Sequence, residues 1–135
     1  MNLKNALNFA KQFLTLFVNQ NTRVLDIAFL NRKLEKQFSD PTKMLKSFGK
    51  DRAKRLSQRL ADFEAAANLE VFRNLPAANC HELTNNLRGQ LSVDVSKNFR
   101  LIFRPDHDPS PTKPDGGLDW EQVTAIIILE IKDYH

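Results

Sequence analysis

The chain has 135 residues, one cysteine and a formal net charge of +4. This length predicts one compact domain, and the lone Cys80 excludes an internal disulfide framework, so we expect a cytoplasmic protein. The longest apolar run is residues 125–129, which is far too short for a membrane span, and no Cys/His array for zinc is present.

The positive charge is concentrated in one part of the chain. Residues 31–60, which we call the basic block, contain ten lysines and arginines and three acidic residues, and carry +7. Residues 61–135 carry −5. A solvated helix face is the ordinary interpretation of such a block. The block also fits a surface for nucleic acid or for an acidic protein partner.

The N-terminal segment has the pattern of an amphipathic helix. Apolar residues recur every three or four positions over residues 2–18, and a polar stretch follows. We therefore expect residues 1–21 to form a helical extension and residues 22–135 to form the domain itself. The extension could pack on the domain or contact a partner, because a free helix would leave its apolar stripe in water.

The next part of the chain predicts one strand and then several helices. In residues 23–30, alternation places Leu25, Ile27 and Phe29 on one face, which predicts the first strand. In the helical region, Asp40 and Pro41 are start signals and Gly49 is a stop signal. The expected helices cover residues 31–38, 41–48, 50–67 and 68–74.

The C-terminal half predicts three strands. Residues 91–95 and 99–104 alternate on either side of a turn signal, which is typical of an antiparallel hairpin. In the second of these strands, Arg100 and Arg104 lie on one face, about 13 Å apart. Residues 122–132 are apolar on both faces, as in a central strand.

Together these elements predict an α+β domain. Its sheet should be small, mostly antiparallel and four-stranded, with helices packed on one side. A long loop rich in proline and glycine, residues 105–120, should connect the last two strands.

Several polar side chains among the strands have the chemistry for cleaving RNA. Attack by a 2′-hydroxyl on the adjacent phosphate needs a base, an acid for the leaving 5′-oxygen, and cations for the phosphorane. Imidazole acts as base or acid near neutral pH, and guanidinium binds phosphate oxygens in a bidentate fork. We expect no metal and no other cofactor. The candidates are His81, Arg88, Arg100, Arg104 and the terminal Asp133, Tyr134 and His135.

Each of these residues also has an ordinary structural interpretation. A single histidine is more often hydrogen-bonded than catalytic, and terminal residues are often frayed. Arginines can simply solvate an exposed sheet face. Composition and spacing alone therefore predict an α+β domain that binds an anion.

Four local strings carry a resemblance to a known family. They are CHEL at residues 80–83, RGQLSV at 88–93, NFRLIFR at 98–104 and the terminal DYH at 133–135. Together they resemble the RelE/ParE superfamily, and more narrowly the HigB-like killer proteins of bacterial type II toxin–antitoxin systems. The resemblance covers about residues 23–135.

The resemblance implies a ribosome-dependent mRNA endonuclease that blocks translation. It implies a cognate HigA-like antitoxin with a helix-turn-helix, an oligomer with that antitoxin, contacts with the ribosome and mRNA, and no membrane partner. The implied catalytic residues are His81, Arg100, Asp133, Tyr134 and His135. The implied RNA- or phosphate-binding residues are Arg88, Lys97, Arg104, Lys50, Lys54 and Arg55.

Three positions depart from the family's pattern. Glu82 and Thr84 stand where relatives often carry proline and lysine, and Asp94 stands where some carry a basic residue. Two alternatives stay open. One is a non-catalytic protein of the toxin fold that binds its antitoxin and modulates operator binding. The other is a ParE-like inhibitor of DNA gyrase.

Overall fold

A computed structural model describes residues 24–134 of the chain. The predicted helix over residues 2–18 and the terminal His135 lie outside these residues. The strands are β1 (Asp26–Phe29), β2 (His81–Glu82), β3 (Leu91–Ser96), β4 (Phe99–Pro105) and β5 (Ala125–Asp133). The helices are α1 (Arg32–Ser39), α2 (Pro41–Phe48), α3 (Lys50–Ala65) and α4 (Leu69–Arg73).

The strands form one sheet in the order β1-β5-β4-β3-β2. β1 pairs with β5 in parallel, and the other neighbours are antiparallel. The predicted α+β class and the mostly antiparallel sheet are therefore confirmed. The sheet has five strands instead of the predicted four, because β2 adds a two-residue edge strand. So short a segment has no periodicity by which sequence could reveal it.

Side-chain caps mark the starts of α1, α2 and α4, whereas α3 begins after Gly49 without one. The Asp40 carboxylate accepts a hydrogen bond from the Thr42 amide at 2.9 Å, and Pro41 takes the first helical position, as predicted. Gly49 ends α2 with a φ of +82°, a conformation that side chains with a Cβ rarely adopt. None of the helices within residues 24–134 is long and apolar enough to cross a membrane.

Aromatic packing joins the helices to one face of the sheet. The ring of Phe63 in α3 stacks on Phe72 of α4 with 3.9 Å between centroids, and meets Phe103 of β4 edge-on at 5.2 Å. All three side chains are fully buried. Burial of this kind contributes about 2–3 kcal/mol per large apolar side chain. The strand residues on the same side are Leu91, Val93, Val95, Leu101, Ile126 and Ile128.

Arg59 ties α3 to the segment that leads into β2. Its Nε donates to the Asp94 carbonyl at 2.8 Å, its Nη2 donates to the Ala77 carbonyl at 3.0 Å, and its Nη1 pairs with Asp62 at 3.2 Å. Ala77 lies in a 3₁₀ turn (Pro76–Ala78). The Arg59 side chain is only 12% exposed, so this member of the basic block has a structural role.

The substitution Arg59→Lys tests that role. Lysine keeps the charge but lacks the planar fork that reaches two carbonyls at once. We expect the free energy of unfolding to fall by about 2 kcal/mol, the scale of the lost charged hydrogen bonds, in urea denaturation followed by circular dichroism. Arg55→Lys is the matched control on the same helix, since Arg55 donates one long hydrogen bond, 3.5 Å to the Val95 carbonyl. Equal losses in both variants would contradict the assignment.

Candidate active site

The strand register places two rows of side chains on the sheet face opposite the helices, which we call the open face. Residues directly opposite each other in antiparallel strands share a face. The first row consists of His81, Ser92, Ile102 and Glu130, and the second consists of Asp94, Arg100 and Lys132. All of these residues except Ile102 are charged or polar, whereas the strand residues of the core face the helices.

The segment 83–90 covers part of the open face. Ile102 is only 2% exposed although it does not belong to the core beneath the helices. A narrow cleft of about 20 Å³ remains, which holds about one water molecule. A nucleotide therefore has to lie across the cleft instead of entering it. The cleft is lined by Leu83, Leu87, Gln90, Ile102, Glu130, Lys132 and Tyr134.

Arg100 has a fixed position in the middle of the open face. Its Nε forms an ion pair with Oδ1 of Asp94 at 2.9 Å. Its Nη1 donates to the carbonyls of Ser96 at 2.8 Å and Lys97 at 3.2 Å, where the pairing of β3 and β4 shifts register. Within residues 24–134 no hydrogen bond is made by Nη2, so this edge of the guanidinium can meet an anion.

Tyr134 lies beside Arg100. The Tyr134 amide donates to the Asn98 carbonyl at 2.7 Å, which ties the end of the chain to the turn between β3 and β4. The Arg100 guanidinium lies 6.0 Å from the centre of the Tyr134 ring, and the Lys132 ammonium lies 5.1 Å from it. Two cations therefore lie close to the Tyr134 ring.

Asp133 is linked to the start of α3. Its Oδ2 lies 3.6 Å from Nη1 of Arg52. The Arg52 guanidinium also lies over the Phe99 ring, 4.3 Å from its centre. Arg52 thus joins the end of β5 to the helix behind the sheet.

His81 stands on the other side of Arg100. Its Nδ1 lies 2.9 Å from the Asn79 carbonyl, and because a carbonyl can only accept, this contact favours the tautomer with the proton on Nδ1. In that tautomer Nε2 has a free lone pair. At about 4.8 Å between strands, the His81 Cα is about 10 Å from β4 and about 14 Å from β5. A group bound above Arg100 therefore lies between His81 and Tyr134.

A family model described as the RelE-like toxin of the type II toxin–antitoxin system HigB matches residues 27–109. The chain belongs to this family of HigB-like toxins. The match includes His81 and Arg100 and ends before β5. It confirms the resemblance that the four local strings indicated.

Three solved structures match the toxin with TM-scores below 0.5. The YoeB–YefM complex from Staphylococcus aureus has 18% identity, covers 82% of this chain and 97% of that chain, and gives a TM-score of 0.47. The YoeB/ParE toxin from Agrobacterium tumefaciens has 6% identity, with 82% and 100% covered and a TM-score of 0.49. YafQ from E. coli has 17% identity, with 81% and 92% covered and a TM-score of 0.44. No curated protein matches the sequence.

Of the other cations predicted to bind RNA, Lys97 alone lies beside Arg100 in the described part of the chain. Arg104 lies at the far end of the open face, Arg88 in the loop before β3, and Lys97 in the turn beside Arg100. All are exposed, as are Lys50, Lys54 and Arg55 on α3, behind the sheet. Four further lysines of the basic block line a groove between α1 and α2: Lys33, Lys36, Lys43 and Lys46.

Sequence reasoning missed several residues that shape the site in the toxin. The sequence did not identify Lys132 as a site residue, because its pattern predicts that residues 122–132 are apolar on both faces. That expectation holds at Ile126 and Ile128, which are buried, and fails at the exposed Glu130 and half-buried Lys132. The alternation of these two charges with Ile131 is the signal that could have revealed an open face. Nothing in the sequence signalled the contact between Arg52 and Asp133.

His107 and Cys80 are reactive residue types that lie outside the two rows of the open face. Nε2 of His107 accepts hydrogen bonds from the amides of Thr124 at 3.1 Å and Ala125 at 3.3 Å, at the start of β5. Burial raises the pKa of the Cys80 thiol to about 12, so Cys80 is no nucleophile at neutral pH. Among residues 24–134, no group of three or more His, Cys, Asp or Glu is placed to hold a metal ion.

The raised pKa of Cys80 predicts a slow thiol. At pH 8 only about 10⁻⁴ of a thiol with a pKa near 12 is ionised, and the thiolate is the reactive form. We expect alkylation by iodoacetamide, followed by intact mass, to be at least roughly a hundredfold slower in the folded toxin than in urea. Because the pKa is raised, the folded rate should increase about tenfold per pH unit up to the pH at which the protein unfolds. Equal rates in the two states would contradict the burial of Cys80.

Proposed function

We propose that the toxin is a ribosome-dependent mRNA endonuclease that blocks translation by cutting RNA with its own 2′-hydroxyl. The observation that carries the proposal is the position of Arg100, a held guanidinium with an imidazole on one side and a phenol on the other. This arrangement matches the three needs of the reaction, which are a base, a phosphate-binding cation and a proton donor.

His81 is the base in this proposal. Its Nδ1 is occupied by the Asn79 carbonyl, so Nε2 takes the proton from the 2′-hydroxyl. The 2′-oxygen then attacks the adjacent phosphorus, and the bond from phosphorus to the 5′-oxygen breaks. The products are a 2′,3′-cyclic phosphate and a free 5′-hydroxyl.

Arg100 stabilises the charge that develops on the phosphorane. Its Nε and Nη1 are held by protein groups, so the guanidinium needs no reorganisation when the charge appears. Lys132 adds a second positive charge on the same row of the open face.

The terminal residues supply the proton for the leaving 5′-oxygen. His135, which lies outside the described residues, directly follows Tyr134 in the chain. We assign His135 as the acid, with Tyr134 assisting it beside Arg100. Asp133 orients this end of the chain through its contact with Arg52. No step of this sequence needs a metal or another cofactor.

The ribosome and an antitoxin are the proposed partners. Phosphates of ribosomal RNA fit the exposed cations of the basic block and the four lysines of the groove between α1 and α2. Membership in a family of type II toxin–antitoxin systems supports a cognate antitoxin. We expect a HigA-like protein with a helix-turn-helix, in one oligomer with the toxin.

Induction of the toxin in a host without the antitoxin, with mapping of mRNA 5′ ends, tests the proposal. The wild type should arrest growth and create new ends. His81→Gln and Arg100→Lys should each reduce cleavage by roughly a hundredfold or more, because each removes a transition-state contact. Arg73→Lys on α4 is the matched control for the arginine and should cleave within about twofold of wild type.

Three outcomes would contradict the proposal. Growth arrest without new ends in His81→Gln/His135→Gln would show that the toxicity does not come from these groups. Inhibition of gyrase supercoiling by the purified protein would favour the ParE-like alternative. Tight antitoxin binding by a wild type that neither arrests growth nor cuts mRNA would favour the non-catalytic regulator.

A further inference from the structure

A chain of polar contacts runs from His81 to Arg100 through two residues without an assigned role. Nδ1 of His81 meets the Asn79 carbonyl at 2.9 Å, and Nδ2 of Asn79 donates to Oδ2 of Asp94 at 3.3 Å. Oδ1 of the same carboxylate pairs with Nε of Arg100 at 2.9 Å. The imidazole and the guanidinium are thus joined through Asn79 and Asp94, and we call this chain of contacts the link.

Asn79 holds an unusual backbone conformation. Its φ of 45° and ψ of 53° lie in the left-handed region, which asparagine tolerates better than most residues. It ends the 3₁₀ turn of Pro76–Ala78 and stands two positions before His81. In this conformation the Asn79 carbonyl meets His81 and the Asn79 side chain reaches Asp94, so one residue contacts both ends of this part of the site.

Asp94 is held at its backbone as well as at its side chain. Its carbonyl accepts from Nε of Arg59 at 2.8 Å, and Arg59 also binds the carbonyl of Ala77. The carboxylate itself is 32% exposed and lies on the open face opposite Arg100. Asp94 therefore places a fixed negative charge between Asn79 and Arg100.

We propose that Asn79 and Asp94 are positioning residues that hold the base His81 and the phosphate-binding Arg100 at one separation and orientation. The inference rests on the proposed function for its catalytic meaning. Such positioning is needed because β2, which carries His81, is an edge strand of two residues with two residue pairs to β3. So short a pairing constrains His81 weakly, and the hydrogen bond from Asn79 to Asp94 adds a second attachment.

The charge of Asp94 gives the link a kinetic signature. A carboxylate 2.9 Å from Nε of Arg100 weakens the attraction of this guanidinium for a phosphate. It also fixes the guanidinium in place. Removing the charge should therefore tighten binding of RNA and slow the chemical step, a combination that general loss of structure would not produce.

The first test uses NMR of the ring nitrogens of histidine at pH 8 in the whole chain. His81, identified by the signal lost in His81→Gln, should be a single tautomer with the proton on Nδ1. Asn79→Gly keeps the left-handed backbone accessible but removes the bond to Asp94, so a mixture of tautomers is expected. Asn85→Gly is the matched control, because Asn85 also has a positive φ, 58°, and takes no part in the link.

The second test separates kcat from KM in mRNA cleavage on programmed ribosomes. Asn79→Gly should lower kcat by roughly tenfold with KM nearly unchanged, because a small misplacement of the base costs rate. Asp94→Asn should lower both kcat and KM. Asn85→Gly should behave as the wild type. If Asn79→Gly does not fold, Asn79→Asp serves instead, because it tolerates the same backbone and turns the hydrogen bond into a repulsion between carboxylates.

The outcomes distinguish the link from the proposed function. Wild-type kinetics in the Asn79 and Asp94 variants, with a single His81 tautomer throughout, would overturn the link and leave the endonuclease proposal standing. A wild type that does not cut RNA would overturn the endonuclease proposal. In that case the NMR experiment still decides the link, and a proton on Nε2 of His81 in the wild type would overturn it.

Discussion

The helices cover one face of the sheet, and this constraint determines where polar chemistry can take place. Phe63 and Phe72 need an apolar surface, and alternate residues of β3, β4 and β5 provide it. The period of two in a strand then places the intervening residues on the opposite face. Asp94 and Arg100 reach that face because Val93 and Leu101 are required for the core. The position of the candidate site thus follows from the packing of the core.

Positive and negative charges nearly cancel on the open face. In the proposed mechanism, long-range attraction of RNA and its cleavage therefore involve different surfaces. Arg100 and Lys132 lie among Asp94 and Glu130, so the local excess of positive charge is small. A phosphate bound there depends on the geometry of one held guanidinium. The basic block, whose exposed lysines lie on α1, α2 and α3, is the surface suited to long-range attraction of a polyanion. In the proposed mechanism, one surface therefore recruits RNA and the other reacts with it.

The sequence predicted the elements better than the contacts. Strong local signals, such as the Asp40 cap and the turn at residues 96–98, placed the helices and the hairpin within a few residues. The face of Arg100 followed from alternation along β4. The edge strand β2, the link from Asn79 to Asp94 and the pair of Arg52 with Asp133 depend on tertiary packing. Residues far apart in sequence form these contacts, and no periodic pattern encodes them.

The chemistry of the RNA ends tests the central claim most directly. Purified toxin and translating ribosomes with a defined mRNA give two fragments whose termini can be identified by enzymatic treatment and mass spectrometry. Attack by the 2′-hydroxyl predicts a 2′,3′-cyclic phosphate on the upstream fragment and a 5′-hydroxyl on the downstream fragment, in the presence of EDTA-treated toxin. A 3′-hydroxyl with a 5′-phosphate, or intact mRNA, would contradict the role given to His81, Arg100 and the end of the chain.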